Sequence, residues 1–298
     1  IYVEPINIKR RKMNIDRDIS KIKEILKAGF VRNYKNPIIP TGFHYICGTW
    51  KSGYVIEDNL THSQYVWIPV GYLISDGTID GKNFDKKFGR RNFYPEYTRK
   101  LYEQEITAEF LNQCMSIVNW GGFYISRFNI SKSIEEKPLS IQGGEPWVDI
   151  DFNEAIKVSH KVVKCEDVSS HLIYGAEYDS MLSFIEKTGA KSNYQITVDS
   201  STWGSSINDI QDNDYNPEWA ANEIYGLAGI KRVWTQEYYS NNHKTPKVMV
   251  VRGGSYGDYK NIFPVAYRNE VPVDMKSSLI GFRVALCIKK TRKIKYLL

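Results

Sequence analysis

The chain has 298 residues, 42% of them hydrophobic and 25% charged, which excludes a disordered chain and suffices to bury a full core. Its formal net charge is +6, yet no basic stripe carries a readout element, so nucleic-acid binding is not expected, and no apolar run approaches the ~18 residues that span a membrane. Four dispersed cysteines, Cys47, Cys114, Cys165 and Cys287, exclude a C-x-x-C zinc pattern and argue for buried free thiols over a disulfide framework.

In chain order, Ile15, Ile19, Ile22, Ile25 and Leu26 form an apolar stripe at helical spacing, with Asp16 and Asp18 near its start and Gly29 as its stop. This predicts a helical arm and proline-containing linker over residues 1–38. A helix this short needs a surface to lie on. Glu105 to Val118 predicts a second helix, ended by Gly121 and Gly122, after a polar, aromatic stretch at 76–102 that reads as a mobile insertion. Asp151 to Lys164 predicts a third, opened by the D-x-x-E capping box of Asp151 and Glu154, and Glu177 to Lys187 a fourth, stopping at Gly189. Residues 190–221 look irregular.

Towards the end, Lys247 to Val251 is a β-branched run and Ile280 to Ile288 alternates as a second strand. Between them Gly253 and Gly254 permit positive φ or close backbone approach, aiming a loop at 257–279 away from the sheet. An unperiodic loop of that length points to function. The charge is uneven: residues 1–38 hold ten Lys and Arg against four Asp and Glu, residues 288–298 hold five against none, and the body between holds 25 against 30. Two basic ends on a mildly acidic body suit docking on an acidic protein neighbour.

Three blocks, RGGSY (252–256), AYR (266–268) and GFR (281–283), resemble in order and spacing the C-terminal signature of the formylglycine-generating-enzyme family, which has a C-type-lectin-like fold. Further blocks carry the resemblance over residues 39–289. They include QYVWIPVG (64–71), GGFYISRFNIS (121–131), LIYGAEYDSMLSFIEKTG (172–189) and NEIYGLAGIKRVWTQEYYS (222–240). The resemblance implies a single α+β domain at 39–289, with small twisted antiparallel sheets, flanking helices and much irregular loop. Residues 1–38 and the basic tail 290–298 are its extensions. Arg252, Gly253, Gly254, Arg268, Gly281, Arg283 and Trp234 are expected to be its structural frame, with Arg252 and Arg283 each half of a buried pair.

The chemistry implied by the family is not carried over. Its active cysteines lie between GGSY and the next arginine, where this chain has GDYKNIFPVAY, with Asp258 about where the first would stand. A carboxylate is neither a soft copper-thiolate ligand nor a redox nucleophile. Family positions that help bind calcium are Ile230 and Val233, which offer no side-chain oxygen, and Gly226 replaces a further aspartate. The histidines, His44, His62, His160, His171 and His243, show no metal-ligand spacing.

No catalytic residue, cofactor or metal is therefore expected. The expectation is a non-catalytic protein that displays a recognition loop at about 256–279, where Tyr256, Asp258, Tyr259, Asn261, Tyr267 and Asn269 mix aromatic faces with short polar groups. Expected partners are a cell-surface glycan or protein receptor, an assembly partner at residues 1–38 and 288–298, and a second copy in a homo-oligomer. With no signal peptide visible, synthesis in the cytoplasm and mounting on a phage particle or bacterial surface assembly are expected, a virion or extracellular location. The alternatives are a structural capsid or tail subunit with no small ligand and, disfavoured by the missing cysteines, an active formylglycine-type oxidase.

Overall fold

The computed structural model describes residues 33–34, 37–70, 72–73, 79–80, 102–103, 107–163, 165–204, 216–239 and 248–289. The expected helix at 15–26, the tail 290–298 and nearly all of the insertion at 76–102 lie outside the described residues. Among the described residues, no helix is long and apolar enough to cross a membrane.

Two sheets organise the chain in the mixed α+β arrangement that the sequence predicts. The larger has six strands, β1 (Phe43–Cys47), β2 (Val55–Asp58), β3 (Gln64–Pro69), β4 (Gly122–Ser126), β5 (Val168–Leu172) and β10 (Val284–Ile288). They run antiparallel in the order β5-β10-β4-β3-β2-β1. The smaller has four, β6 (Arg232–Trp234), β7 (Val248–Arg252), β8 (Arg268–Pro272) and β9 (Ile280–Phe282), in the order β8-β7-β6-β9.

Strands β4 and β10 are buried along their whole length because both faces of the large sheet are covered. Successive side chains point to opposite faces. Val66, Ile68, Phe123, Ile125 and Ala285 join one core with helices α1 (Ala108–Trp120) and α3 (Gly175–Lys187). Tyr65, Trp67, Tyr124, Val284 and Leu286 join a second with helix α2 (Phe152–Ser159) and the small sheet. Trp234 sits fully buried in this second core, its indole N–H donating to Ile150 O at 3.1 Å and its ring edge-on to Phe152.

The helix ends follow local chemistry. Thr107 caps α1, which stops at Gly121 with φ 80°, and Asp151 with Glu154 forms the expected capping box of α2. Helix α2 ends at Ser159, five residues short of the predicted Lys164, although Val162 and Val163 remain buried in the turn that follows.

Two expectations are corrected. Ile280 to Ile288 is not one strand: it breaks at Arg283, with β9 pairing in parallel with β6 while β10 crosses into the large sheet between β4 and β5. The stretch 257–279 is not one open loop either. Arg268–Pro272 forms the edge strand β8 against β7, leaving a loop at 253–267 and a turn at 273–279.

Candidate functional site

The loop at 253–267 leaves the sheet from β7 and returns through β8, so its base is the pair Arg252 and Arg268, which stand directly opposite each other. Like charges in that register repel unless something neutralises them. Two carboxylates do: Asp179 from α3 accepts from Arg252 Nη2 at 2.8 Å and Arg268 Nη2 at 2.9 Å, and Glu237, after β6, accepts from Arg252 Nη1 at 3.2 Å and Arg268 Nε at 2.6 Å. All four side chains are buried. Burial pushes the Asp179 carboxyl up against the pull of Arg268 and Arg252. The guanidinium of Arg252 also lies 4.5 Å from the ring of Tyr178, whose hydroxyl donates to Val265 O inside the loop. Arg252 is thus paired as expected. Arg283 donates to the carbonyls of Ser126, Arg127 and Tyr225, tying β10 to the chain beside β4.

Above this clamp the loop is locked from within. Gly253 has φ +74°, and a Cβ on Gly254 would meet Phe263 O at 2.6 Å, so both glycines answer a backbone requirement. Gly281, in β9, has no such requirement, since a Cβ there would sit 3.5 Å from Lys231. The carboxylate of Asp258 accepts from the Ser255 N–H and hydroxyl, both at 2.7 Å, and from Arg232 Nε and Nη2 at 3.0 and 2.7 Å. Burial alone would raise its pKa, but the bonds from Arg232 and Ser255 outweigh it and hold it low. Lys260 is buried beneath, its ammonium donating to Ser255 O at 2.6 Å and Asp258 O at 2.9 Å, and burial depresses its pKa to about 8.

A short helix, α4 (Asn193–Thr197), buttresses the side of the loop. Ser200 N–H donates to Lys260 O at 3.2 Å, Val265 N–H to Ser200 Oγ at 2.9 Å, and Ala266 N–H to Ile196 O at 3.0 Å.

The six expected recognition residues divide. Tyr259 and Asn261 are exposed at the tip. Tyr256 is half-buried with the Lys231 ammonium 4.6 Å from its ring, and Tyr267 packs its ring edge-on to Phe263. Asn269 lies in β8 opposite Val251, half-buried. Asp258 turns inward: its partner Arg232 stands 26 residues earlier, a pairing no local pattern reveals. The sequence reading passed over Ile262, 56% exposed beside Tyr259, although an isoleucine three residues beyond an exposed tyrosine was the available sign.

Where the family resemblance implies calcium ligands, Ile230 and Val233 are fully buried apolar side chains. Among the described residues, no three His, Cys, Asp or Glu side chains are grouped to hold a metal. Burial, aided by the charge of Glu177, pushes the thiols of Cys114 and Cys287 up to about 12, so neither is a poised nucleophile.

Comparison with known proteins places this architecture. The model of the sulfatase-modifying factor enzyme 1-like domain matches residues 57–288. Among solved structures the chain is similar to Treponema denticola variable protein 1, at 9% identity over 84% of this chain and 100% of that one, with a TM-score of 0.43. It is similar also to PvdO from Pseudomonas aeruginosa, at 14% identity over 78% of this chain and 98% of that one (TM-score 0.43), and to CarF, at 12% over 65% and 95% (TM-score 0.37). Curated proteins gave no match. Since the family match runs from within β2 to β10 and so takes in the small sheet, all of the large sheet beyond its β1 edge, the clamp and the loop, the chain belongs to the sulfatase-modifying factor enzyme 1-like family, with its C-type-lectin-like fold.

Proposed function

We propose that this chain is a non-catalytic member of its family, in which the loop at 253–267 presents a recognition surface to a cell-surface receptor. One observation carries the reading. Asp258, which stands about where the resemblance puts the first active cysteine, is held inside the loop by Arg232 and Ser255, and this lock leaves Tyr259 and Asn261 turned to solvent. A rigid support under exposed aromatic and amide side chains lowers the entropy lost on binding. The basic ends, at 1–38 and 288–298, support mounting of the domain on an acidic partner in a particle or surface assembly.

The test has two arms. The purified chain, with and without copper, is incubated with a cysteine-containing sulfatase-type peptide, and product formylglycine is sought by mass; formation above a no-enzyme control refutes the non-catalytic assignment. In the second arm, Tyr259→Ala with Asn261→Ala abolishes attachment to target cells while the thermal midpoint hardly moves, because exposed substitutions cost less than about 0.5 kcal/mol each. Undiminished attachment refutes the loop as the recognition surface.

A further inference from the structure

The geometry points to a recognition surface that extends from the loop onto α4 and takes an uncharged saccharide. This rests on the recognition reading above and names its ligand class. In α4, Ile196 is turned into the core, so Tyr194 and the C-cap residue Val198, four residues apart, share the outward face and are 59% and 45% exposed. Tyr259 and Ile262 stand on a second turn, closed by Ile262 N–H and Phe263 N–H donating to Tyr259 O, and are 60% and 56% exposed. The three bonds from Ser200, Val265 and Ala266 join the two turns side by side. Four large apolar side chains are thus exposed on two turns that are hydrogen-bonded to each other, which we read as one patch, whereas single exposed ones need no explanation.

The charges around the patch select the ligand. Asp258 and Lys260 are buried and bonded within the loop, and Lys191, ahead of α4, holds its ammonium 4.9 Å from the ring of Trp203. The ionised group left with solvent access on these turns is the half-buried Asp199, whose carboxylate accepts from Ser201 N–H and is held low by its hydrogen bonds from Ser201. An anionic ligand would meet this carboxylate with no outward cation on either turn to offset it. The two tyrosine rings offer π faces to the C–H face of a pyranose, and their hydroxyls with the Asn261 amide offer bonds to its hydroxyls. The patch is on the order of a few hundred Å². That falls short of the ~800 Å² per partner of a stable protein interface and fits a few sugar rings.

The experiment probes the full chain on an array of immobilised neutral, sialylated and sulfated glycans. The best-bound glycan is then titrated calorimetrically into the unmodified chain, Tyr194→Ala, Val198→Ser and Tyr259→Ala. Neutral glycans are expected to bind, and Tyr194→Ala and Tyr259→Ala each to weaken the affinity about tenfold or more. Binding of acidic glycans alone, of no glycan, or of a protein only overturns the saccharide assignment. Loss in Tyr259→Ala with none in Tyr194→Ala removes α4 from the surface and leaves the loop reading standing. Full affinity in Tyr259→Ala removes both.

Discussion

Replacing Asp179 with Asn tests the clamp at the base of the loop. The side chain keeps its size and one acceptor oxygen, but the buried group of two arginines and two carboxylates is left with an uncompensated positive charge. Breaking a buried ion pair by removing one partner costs about 3–5 kcal/mol. Because Asn still accepts one hydrogen bond from Arg252 or Arg268, the lower end of that range applies, about 3 kcal/mol, or roughly 6–12 °C in Tm. Urea unfolding followed by tryptophan fluorescence should show a lower midpoint at unchanged m. Adding Arg268→Gln makes the group neutral again, so the double variant should recover about half of the loss. The reasoning is refuted if Asp179→Asn costs less than about 1 kcal/mol, or if the second substitution adds its own loss in full.

Three further outcomes are expected. Asp258→Asn removes the charge that holds Arg232 and should accelerate amide exchange at 255–263 with only about 1–2 kcal/mol of global destabilisation, and unchanged loop exchange would contradict the lock. Glu109 is bonded to His160 and Gln236 and faces the charge of His171; these outweigh the burial that would raise its pKa and hold it at about 2. A depressed folded-state carboxyl contributes stability fully present above the unfolded value of about 4.3 and lost as pH falls towards 2, so Glu109→Gln should flatten that acid limb, and a limb of unchanged slope argues against it. A fragment from Pro37 to Lys289 should fold yet fail to join its parent assembly, and attachment of the full chain should weaken as salt shortens the Debye length from ~10 Å to ~3 Å; normal assembly of the fragment removes the role of the ends.

What the sequence revealed was whatever rests on neighbours in the chain. The capping box of Asp151 and Glu154, the stop at Gly121 and the buried strand at Val248–Arg252 are set by residues a few positions apart, and they were legible. The division of Ile280 to Ile288 between two sheets was not, because alternation states that a segment is extended and is silent about which strands flank it. Strand β8 escaped for a related reason: RNEVP is polar and ends in proline, which an edge position tolerates and a central one does not. In the site, Tyr259 and Asn261, expected from their residue types as recognition residues, stand exposed, whereas Asp258 acquires its inward role only through Arg232, and the segment that follows Tyr194 meets the loop only through long-range bonds such as Ser200 N–H to Lys260 O.

Lys260 has a consequence for the conditions under which the loop keeps its shape. A loop organised around a captured ion gains stability as RT ln(1 + [L]/Kd), so its order rises and falls with the supply of that ion and a chelator can unmake it. Here the positive centre that gathers the carbonyls of Ser255 and Asp258 is a side chain of the loop itself, at fixed stoichiometry and with no concentration to vary. The tie to these two carbonyls is therefore supplied from within the chain. Burial lowers the pKa of that ammonium to about 8, which makes proton activity one condition to which this tie responds.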